Sequence, residues 1–383
     1  MLIIHAWILT NLLFKRRIMA QKQLVVSPQI QELKPWSVQR FSSTHVADGT
    51  WEAFVEEKEA TIIDTIEDQV AELVQMRRPS YAWKENEVTL AVRARLGENP
   101  EQYGVWMYYP WRNAMVHLLD EAEYREVRTN RNMHKISATE QGVLAKKRIA
   151  IAGMSVGSGI ALTLALERIG GELIIADYDN LELSNMNRLR TSVVNLSLPK
   201  ATIVAREIAE LDPYIKVTVF EEGVTHDNID EFLGGDTPID LLLEECDNFI
   251  MKLKLRWEAR KKGIPVVMDT SDRGLIDVER FDLDDSMELF HGRFSDEEIE
   301  QVLETEEWNP EWLFRLITPD ELSERMKFSM SELNKTISRW PQLGSEVIMG
   351  AGVAAQLSRM ILLGDNQITG RKFVDVSGFF MDK

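Results

Sequence analysis

Cysteine is nearly absent from this chain of 383 residues: Cys246 stands alone. An internal disulfide is therefore excluded, and so is a four-cysteine zinc site within one chain. A reducing, cytoplasmic location is the expectation that fits. Positive charge is scarce too. Lys and Arg number 44 against 62 Asp and Glu, a formal net charge of −18. Nucleic acid and anionic membrane are thus poor partners on charge, and any phosphate binding must come from local basic pockets. The leading apolar run, Leu2 to Phe14, is too short to span a bilayer. Its basic cluster, Lys15-Arg16-Arg17, follows the run, whereas a secretory signal carries its charge ahead. Residues 1–19 are read as an uncertain tail, interfacial or disordered, or as lying upstream of a start at Met19. Internal repeats and low-complexity segments are missing as well.

What is present reads as two regions. Residues 20–125 form a smaller N-terminal α+β accessory domain, and 126–383 a larger α/β domain. In the first, apolar positions from Thr50 to Met76 recur mostly at three and four residues, which predicts one or two amphipathic helices. A further helix is expected over Glu85–Leu96, closed by Gly97. The aromatic segment Tyr103–Trp111 is β-prone until Pro110 stops it. Such a strand is more often core than binding surface.

From Lys146 strands and helices alternate. Strands are expected at 148–153, 172–177, 216–223, 240–245 and 264–271, with helices at 160–169, 200–211, 227–233 and 249–262 between and after them. Beyond Asp285 an acidic, tryptophan-bearing and helical stretch is expected. A helix over Ser345–Leu363 and a final strand over Arg371–Ser377 follow. Repeated βα units imply a Rossmann-like, mainly parallel sheet with helices on both faces. Ligands of such sheets lie at the carboxyl ends of the strands.

Those ends carry the chemistry. The first strand runs into the glycine turn Gly153–Gly159, "GMSVGSG", where Ser155 and Ser158 stand in place of two glycines of the usual G-x-G-x-x-G spelling. The second strand ends in Asp177, 24 residues after Gly153 and suited to ribose hydroxyls. Alone, these two features do not separate NAD from ATP. The following loop holds Asp179, Asn185, Arg188 and Arg190, and Lys200 opens the next helix. The fourth strand ends in Cys246-Asp247-Asn248, and Asp247 suits either a magnesium ion or the N-cap of the helix behind it. Two cations, a metal carboxylate and a ribose acid suit a triphosphate undergoing displacement better than a nicotinamide. Hydride transfer would also want a placed His or Lys, and the only histidine in residues 146–275 is His226, in an expected surface turn.

The order D-x-D-x-x-x-x-S-N-x-N-R at Asp177–Arg188, P-K-A at Pro199–Ala201 and C-D-N at Cys246–Asn248 resembles the adenylation domain of the E1-like, ThiF and MoeB superfamily. The resemblance covers about Arg131 to Gly274 and resumes over Trp340–Val376. It implies an ATP- and magnesium-dependent adenylyltransferase that makes an acyl-adenylate from a carboxylate, in a homodimer. It implies that Gly153, Ser155 and Gly157 form the turn beneath the nucleotide and that Asp177 holds the ribose. Asn185, Arg188 and Lys200 would contact phosphates, Asp179 would belong to the nucleotide site, and Asp247 would hold Mg2+. An arginine supplied across the dimer would be Arg131, in preference to Arg128. Departures matter: the zinc-binding cysteine pairs and the catalytic cysteine of many members are missing, and the β-branched Val156 inside the turn is expected to keep phosphate at a distance. This implies direct attack on the acyl-adenylate without a cysteine relay. Cysteine-free chemistry of that kind is similar to the peptide-modifying members of microcin C7 and pantocin A biosynthesis. On that likeness the partner is a peptide or small protein, and the front domain with its aromatic segment is its grip. The alternatives are an NAD(P)-dependent oxidoreductase and a non-catalytic E1-like partner subunit.

Overall fold

The computed structural model describes residues 34–309 and 311–380; the tail 1–19 lies outside the described residues. Near the front of the chain, β1 (Gln39–Phe41), β2 (Thr61–Asp64), β3 (Val105–Tyr109) and β4 (Ala114–Leu118) form a four-stranded sheet in the order β1-β3-β4-β2. Helices cover Thr50–Lys58, Ile66–Met76 and Glu85–Leu96. The helical reading of 50–76 therefore needs a correction. Glu59, left-handed at φ 49°, ends the first helix. Thr61-Ile62-Ile63 then pairs parallel to β4 as a strand, as its β-branched residues favour. All five residues of β3 are buried. Trp106 stacks on His117 with ring centroids 4.1 Å apart, and Trp51 leans on it at 4.5 Å. These aromatics are core, the commoner role for such a strand, so Trp106 and Tyr108 are not free to grip a peptide.

The second sheet has seven strands, β5 (Arg148–Ala152), β6 (Glu172–Ala176), β7 (Lys216–Phe220), β8 (Leu241–Glu244), β9 (Val266–Asp269), β10 (Leu275–Glu279) and β11 (Gly370–Phe373). Their order is β11-β10-β9-β8-β5-β6-β7. The pairs β8–β9, β5–β8, β5–β6 and β6–β7 are parallel, whereas β10 and β11 pair antiparallel at one edge. Period-two alternation explains why these strands read as continuous apolar runs. Ile149 and Ile151 join one core with the Gly157–Glu167, Lys200–Leu211 and Gly344–Leu362 helices. Ala150 and Ala152 join the other with the Phe249–Lys261 helix and the 281–316 region. The sheet is thus a mainly parallel α/β layer covered on both faces, as expected.

Around this second sheet two further elements differ from the sequence reading. β10 was not foreseen, and the final strand stops at Phe373, giving way to a helix at Val376–Phe380. From Trp36 on, the chain forms one unit. The front sheet is fastened to the C-terminal end of the Lys200 helix. Tyr124 Oη and Arg128 Nε both donate to the Leu211 carbonyl, at 2.9 and 3.0 Å, and Trp111 Nε1 donates to Glu210 at 2.5 Å. No helix among the described residues is long and apolar enough to cross a membrane.

Candidate functional site

The glycine turn starts where β5 ends, and its geometry is forced. Gly153 has φ +94°, and a Cβ there would sit 2.5 Å from the Glu245 carbonyl oxygen. Only glycine accepts both conditions. The turn is held from the next strand. Asp177 Oδ2 accepts the Met154 N–H at 2.6 Å, and its Oδ1 accepts the Asp179 N–H at 2.7 Å. Asp177 is buried, and burial raises its carboxyl pKa, with Lys200 pulling the other way. Val156 is buried as well, so its branches pack into the protein and Gly153 and Ser155 line the opening. That removes the expected steric barrier to phosphate. Gly157, first residue of the helix, packs on Ile151 and does not line the opening.

One cleft gathers the ends of β5, β6, β7 and β8. Its walls include Gly153, Ser155, Asp177, Asp179, Lys200 and Asp247. Lys200 is buried, and its Nζ lies 2.8 Å from Asp179 Oδ2. Asp179 is thus the present partner of the lysine expected to meet phosphate. Asp247 is exposed and makes no hydrogen bond or ion pair among the described residues. The cap of the helix behind it comes from Asn248, whose Oδ1 accepts the Met251 N–H at 3.0 Å. The capping role considered for Asp247 is therefore filled by its neighbour.

Arg188 is not among the walls of this cleft; it lines a neighbouring cavity of about 430 Å³, together with Gly159, Arg190 and Glu207. Its Nε donates to Ser155 Oγ at 3.2 Å, tying the cation to the glycine turn. Burial lowers the guanidinium pKa, and Asp247 acts in the opposite direction. Asn185 does not reach the cleft. It is buried, its Oδ1 accepts the Glu182 N–H at 3.0 Å, and its carbonyl accepts the N–H groups of Arg188 and Leu189. Its structural work is to shape the turn that carries Arg188. Arg131 is not brought to the cleft of its own chain. It lies in the 3₁₀ turn Asn130–Asn132, and Asn132 bonds the Glu167 carbonyl at the far end of the Gly157–Glu167 helix. An 11-residue helix separates the two places, a span of about 16 Å. Arg128 donates to the carbonyls of Ala165, Leu166 and Leu211, closing two helix ends. His226 is half exposed and pairs with Glu306 at the surface.

The sequence reading missed several cleft residues. Gly223 and Val224 follow β7, whose end carries no phosphate-binding signature, and Tyr178 and Met251 complete the wall. A close fit marks the place: a Cβ on Gly223 would lie 2.9 Å from the Tyr178 ring. Glu245, which the sequence does not mark, and Asp269, one of the polar residues at the end of the fifth expected strand, are buried beneath the cleft. Burial and the neighbouring Asp269 push the Glu245 pKa well up, and burial pushes Asp269 to about 6. Burial and Glu244 likewise raise the Cys246 thiol pKa, which keeps it protonated and weakly nucleophilic.

A second, larger cavity of about 950 Å³ opens nearby, with Asp272, Arg273, Phe328, Leu343 and Glu346 among its walls. Ser271 (φ 64°) and Arg273 (φ 53°) are left-handed there, a strain typical of binding segments. The chain between the two cavities is tightly packed. Asn187 Nδ2 donates to the Gln342 carbonyl at 2.7 Å, and a Cβ on Gly344 would lie 2.8 Å from the Asn187 oxygen. Arg188 therefore stands next to the wall of the larger cavity.

The donor set can be tested against a metal. Among the described residues no group of three or more His, Cys, Asp or Glu is arranged to hold one. A single exposed carboxylate, Asp247, instead suits a Mg2+ ion that shares its shell with nucleotide phosphates and water.

Residues 128–282 match the model of the ThiF family, and this segment is a ThiF family domain. An uncharacterized protein of Mycobacterium tuberculosis (strain CDC 1551 / Oshkosh) is 43% identical over 274 residues, 71% of this chain and 38% of its own length. Ubiquitin-like modifier-activating enzyme 5 of Drosophila willistoni is 31% identical over 148 residues, 36% of each chain. The chain thus spans well under half the length of these curated relatives. Among solved structures, E. coli tRNA N6-threonylcarbamoyladenosine dehydratase, TcdA, is 17% identical with a TM-score of 0.46, covering 65% of this chain and 99% of that one. E. coli MccB with MccA-N7isoASN is 13% identical with a TM-score of 0.43, covering 77% and 79%.

Proposed function

We propose that this chain, with its ThiF family domain, is an ATP-dependent adenylating enzyme. It joins a carboxylate of a peptide or small protein to the α-phosphorus of ATP and releases pyrophosphate. The observation that carries the reading is the meeting of Gly153, Asp177, Lys200 and Asp247 in one cleft, with Arg188 bonded to Ser155 of the turn.

Each residue then has a task that its surroundings support. A carboxylate offers about four acceptor positions, and Asp177 has given two to backbone N–H groups, so ribose hydroxyls can take the remainder. Val224 and Met251 offer an apolar wall for the base. Lys200 exchanges Asp179 for phosphate oxygens. Asp247 would hold a Mg2+ ion, which when bound supplies further neutralisation of phosphate charge. The substrate carboxylate oxygen attacks the α-phosphorus in line; the new P–O bond forms as the bond to the leaving pyrophosphate breaks. Arg188 and Lys200 stabilise charge on the phosphoryl oxygens.

The 950 Å³ cavity is assigned to the carboxylate-bearing segment, because its wall adjoins Arg188. The protonated Cys246 supports direct attack on the acyl-adenylate by an amine or amide of the substrate, with AMP leaving. Ribosomal peptide maturation, in a homodimer whose partner copy supplies Arg131, is the setting we infer. Incubation with ATP, Mg2+ and candidate peptides, followed by mass spectrometry, tests the reading. AMP, pyrophosphate and a modified peptide are expected. Tight NAD binding without ATP turnover would instead indicate an oxidoreductase, and inactivity with a stable partner protein a non-catalytic subunit.

A further inference from the structure

Behind β8 lies a cluster of charged side chains that the proposed chemistry leaves unused. Glu244, the last residue of β8, is fully buried. Lys252 Nζ donates to both of its oxygens, at 2.9 and 2.8 Å, and Arg256 Nε approaches one at 3.3 Å. Arg256, fully buried too, also pairs with Glu279 and Asp277. Arg371 and His291 reach Asp277 at 3.2 and 3.3 Å. Buried ion clusters of this kind contribute little stability over apolar packing of the same volume. What they do supply is fixed geometry.

The geometry fixed here is that of the strand exit. β8 pairs with β5 as far as Ala152 opposite Glu244, and the Glu245 N–H makes the last ladder bond, to the Ala152 carbonyl at 2.8 Å. The Cys246 N–H is the first donor beyond the ladder. Glu244 Oε1 accepts it at 3.0 Å and accepts the Cys246 thiol at 2.9 Å. Two residues on, Asn248 caps the following helix. The three-residue turn that presents Asp247 is thus pinned at its entry by Glu244 and at its exit by Asn248.

We propose that Glu244, clamped by Lys252 and Arg256, is a positioning residue that holds Asp247 toward the phosphate side of the cleft. The inference rests on the ATP and Mg2+ reading above. Its test uses two double variants of the full chain with equal charge change. Glu244→Gln with Lys252→Met keeps an acceptor oxygen for the Cys246 N–H; Glu244→Leu with Lys252→Met removes it. Amide hydrogen exchange over residues 245–248 without nucleotide is read beside the dissociation constants of MgATP and of ATP in EDTA.

The leucine variant should exchange faster at the Cys246 amide and bind MgATP about tenfold more weakly, the size usual for lost outer-shell partners. Its affinity for ATP in EDTA should stay near wild type, and the glutamine variant, which keeps the acceptor but loses the lysine clamp, should exchange more slowly at the Cys246 amide and bind MgATP more tightly than the leucine variant. Equal exchange and equal MgATP affinity in the two variants would overturn the inference and leave the ATP reading standing. A wild-type chain that binds no nucleotide would overturn both. Should the leucine variant not melt cooperatively, Lys252→Met alone carries the test. A loss of MgATP affinity of up to about tenfold is then expected from a loosened outer-shell group, and an unchanged value overturns the inference.

Discussion

The two sheets of this chain use their strands in opposite ways. In the parallel strands β5 to β9 of the seven-stranded sheet the interiors are largely apolar and the polar groups come at or just past the carboxyl ends. Gly153 follows β5, Asp177 follows β6, Val224 follows β7 and Asp247 follows β8. In the four-stranded sheet the polar and aromatic groups sit inside the strand, and all five residues of β3 are buried. The difference follows from connection geometry. Parallel strands need a crossover that returns the chain to the same edge, so their carboxyl ends collect in one place. A hairpin such as β3–β4 sends successive ends in opposite directions and gathers nothing. The lesson is that an aromatic-rich strand and a polar strand end carry different information, even when both look unusual in the sequence.

Substitutions can break or sharpen this contrast. The largest effect is expected at the strand-end site. Asp247→Asn or Arg188→Ala should lower AMP release by at least about 10²–10³-fold, the scale of losing one transition-state charge contact, with the melting temperature near wild type. Retained turnover in both variants would refute the site. The front sheet should behave the other way round. Trp106→Ala should cost about 3–5 kcal/mol of stability in a denaturant titration, as for other buried aromatics. Unchanged stability with lost peptide binding would restore the grip.

Asp269 offers a pH test of the acids beneath the cleft. Its folded pKa of about 6 lies above its ordinary 3.8. The folded chain therefore holds this proton where the unfolded chain has released it, and stability falls as pH rises from about 4 to about 6. Asp269→Asn removes that loss. It should stabilise by roughly 2 kcal/mol at pH 7.5 and by clearly less at pH 5. An equal effect at both values would count against the raised pKa. The smallest effect is expected at Asp179, whose side chain is 54% exposed in its pair with Lys200. Asp179→Asn should tighten ATP binding by about twofold to fivefold, in keeping with a weak exposed ion pair. Weaker binding would instead make Asp179 a direct nucleotide contact.

Much of the site was legible because its residues lie at predictable places. Asp177, Lys200 and Asp247 stand at strand ends or a helix start, and a mainly parallel sheet brings such places together. The Lys200–Leu211 and Glu85–Leu96 helices fall where the pattern puts them. β2 was hidden because Ile62, Ile63 and Ile66 also fit helical spacing, and the left-handed Glu59 that separates helix from strand has no sequence signature. Val224 escaped because a valine after a strand looks like any other. The Glu244–Lys252–Arg256 cluster escaped for a related reason: charges on a strand and a helix read as solvated until the packing of β10 buries them.

By itself the sequence determined the βα alternation, the glycine turn after β5 and the chemistry at most of the strand ends, because these depend on local periodicity and residue type. Only the tertiary structure decided which groups meet. It turned Val156 inward and gave Lys200 to Asp179. It gave the helix cap to Asn248 and left Asp247 exposed, and it took Arg131 to the far end of a helix. Those outcomes depend on contacts between residues far apart in the chain, and no local pattern carries them.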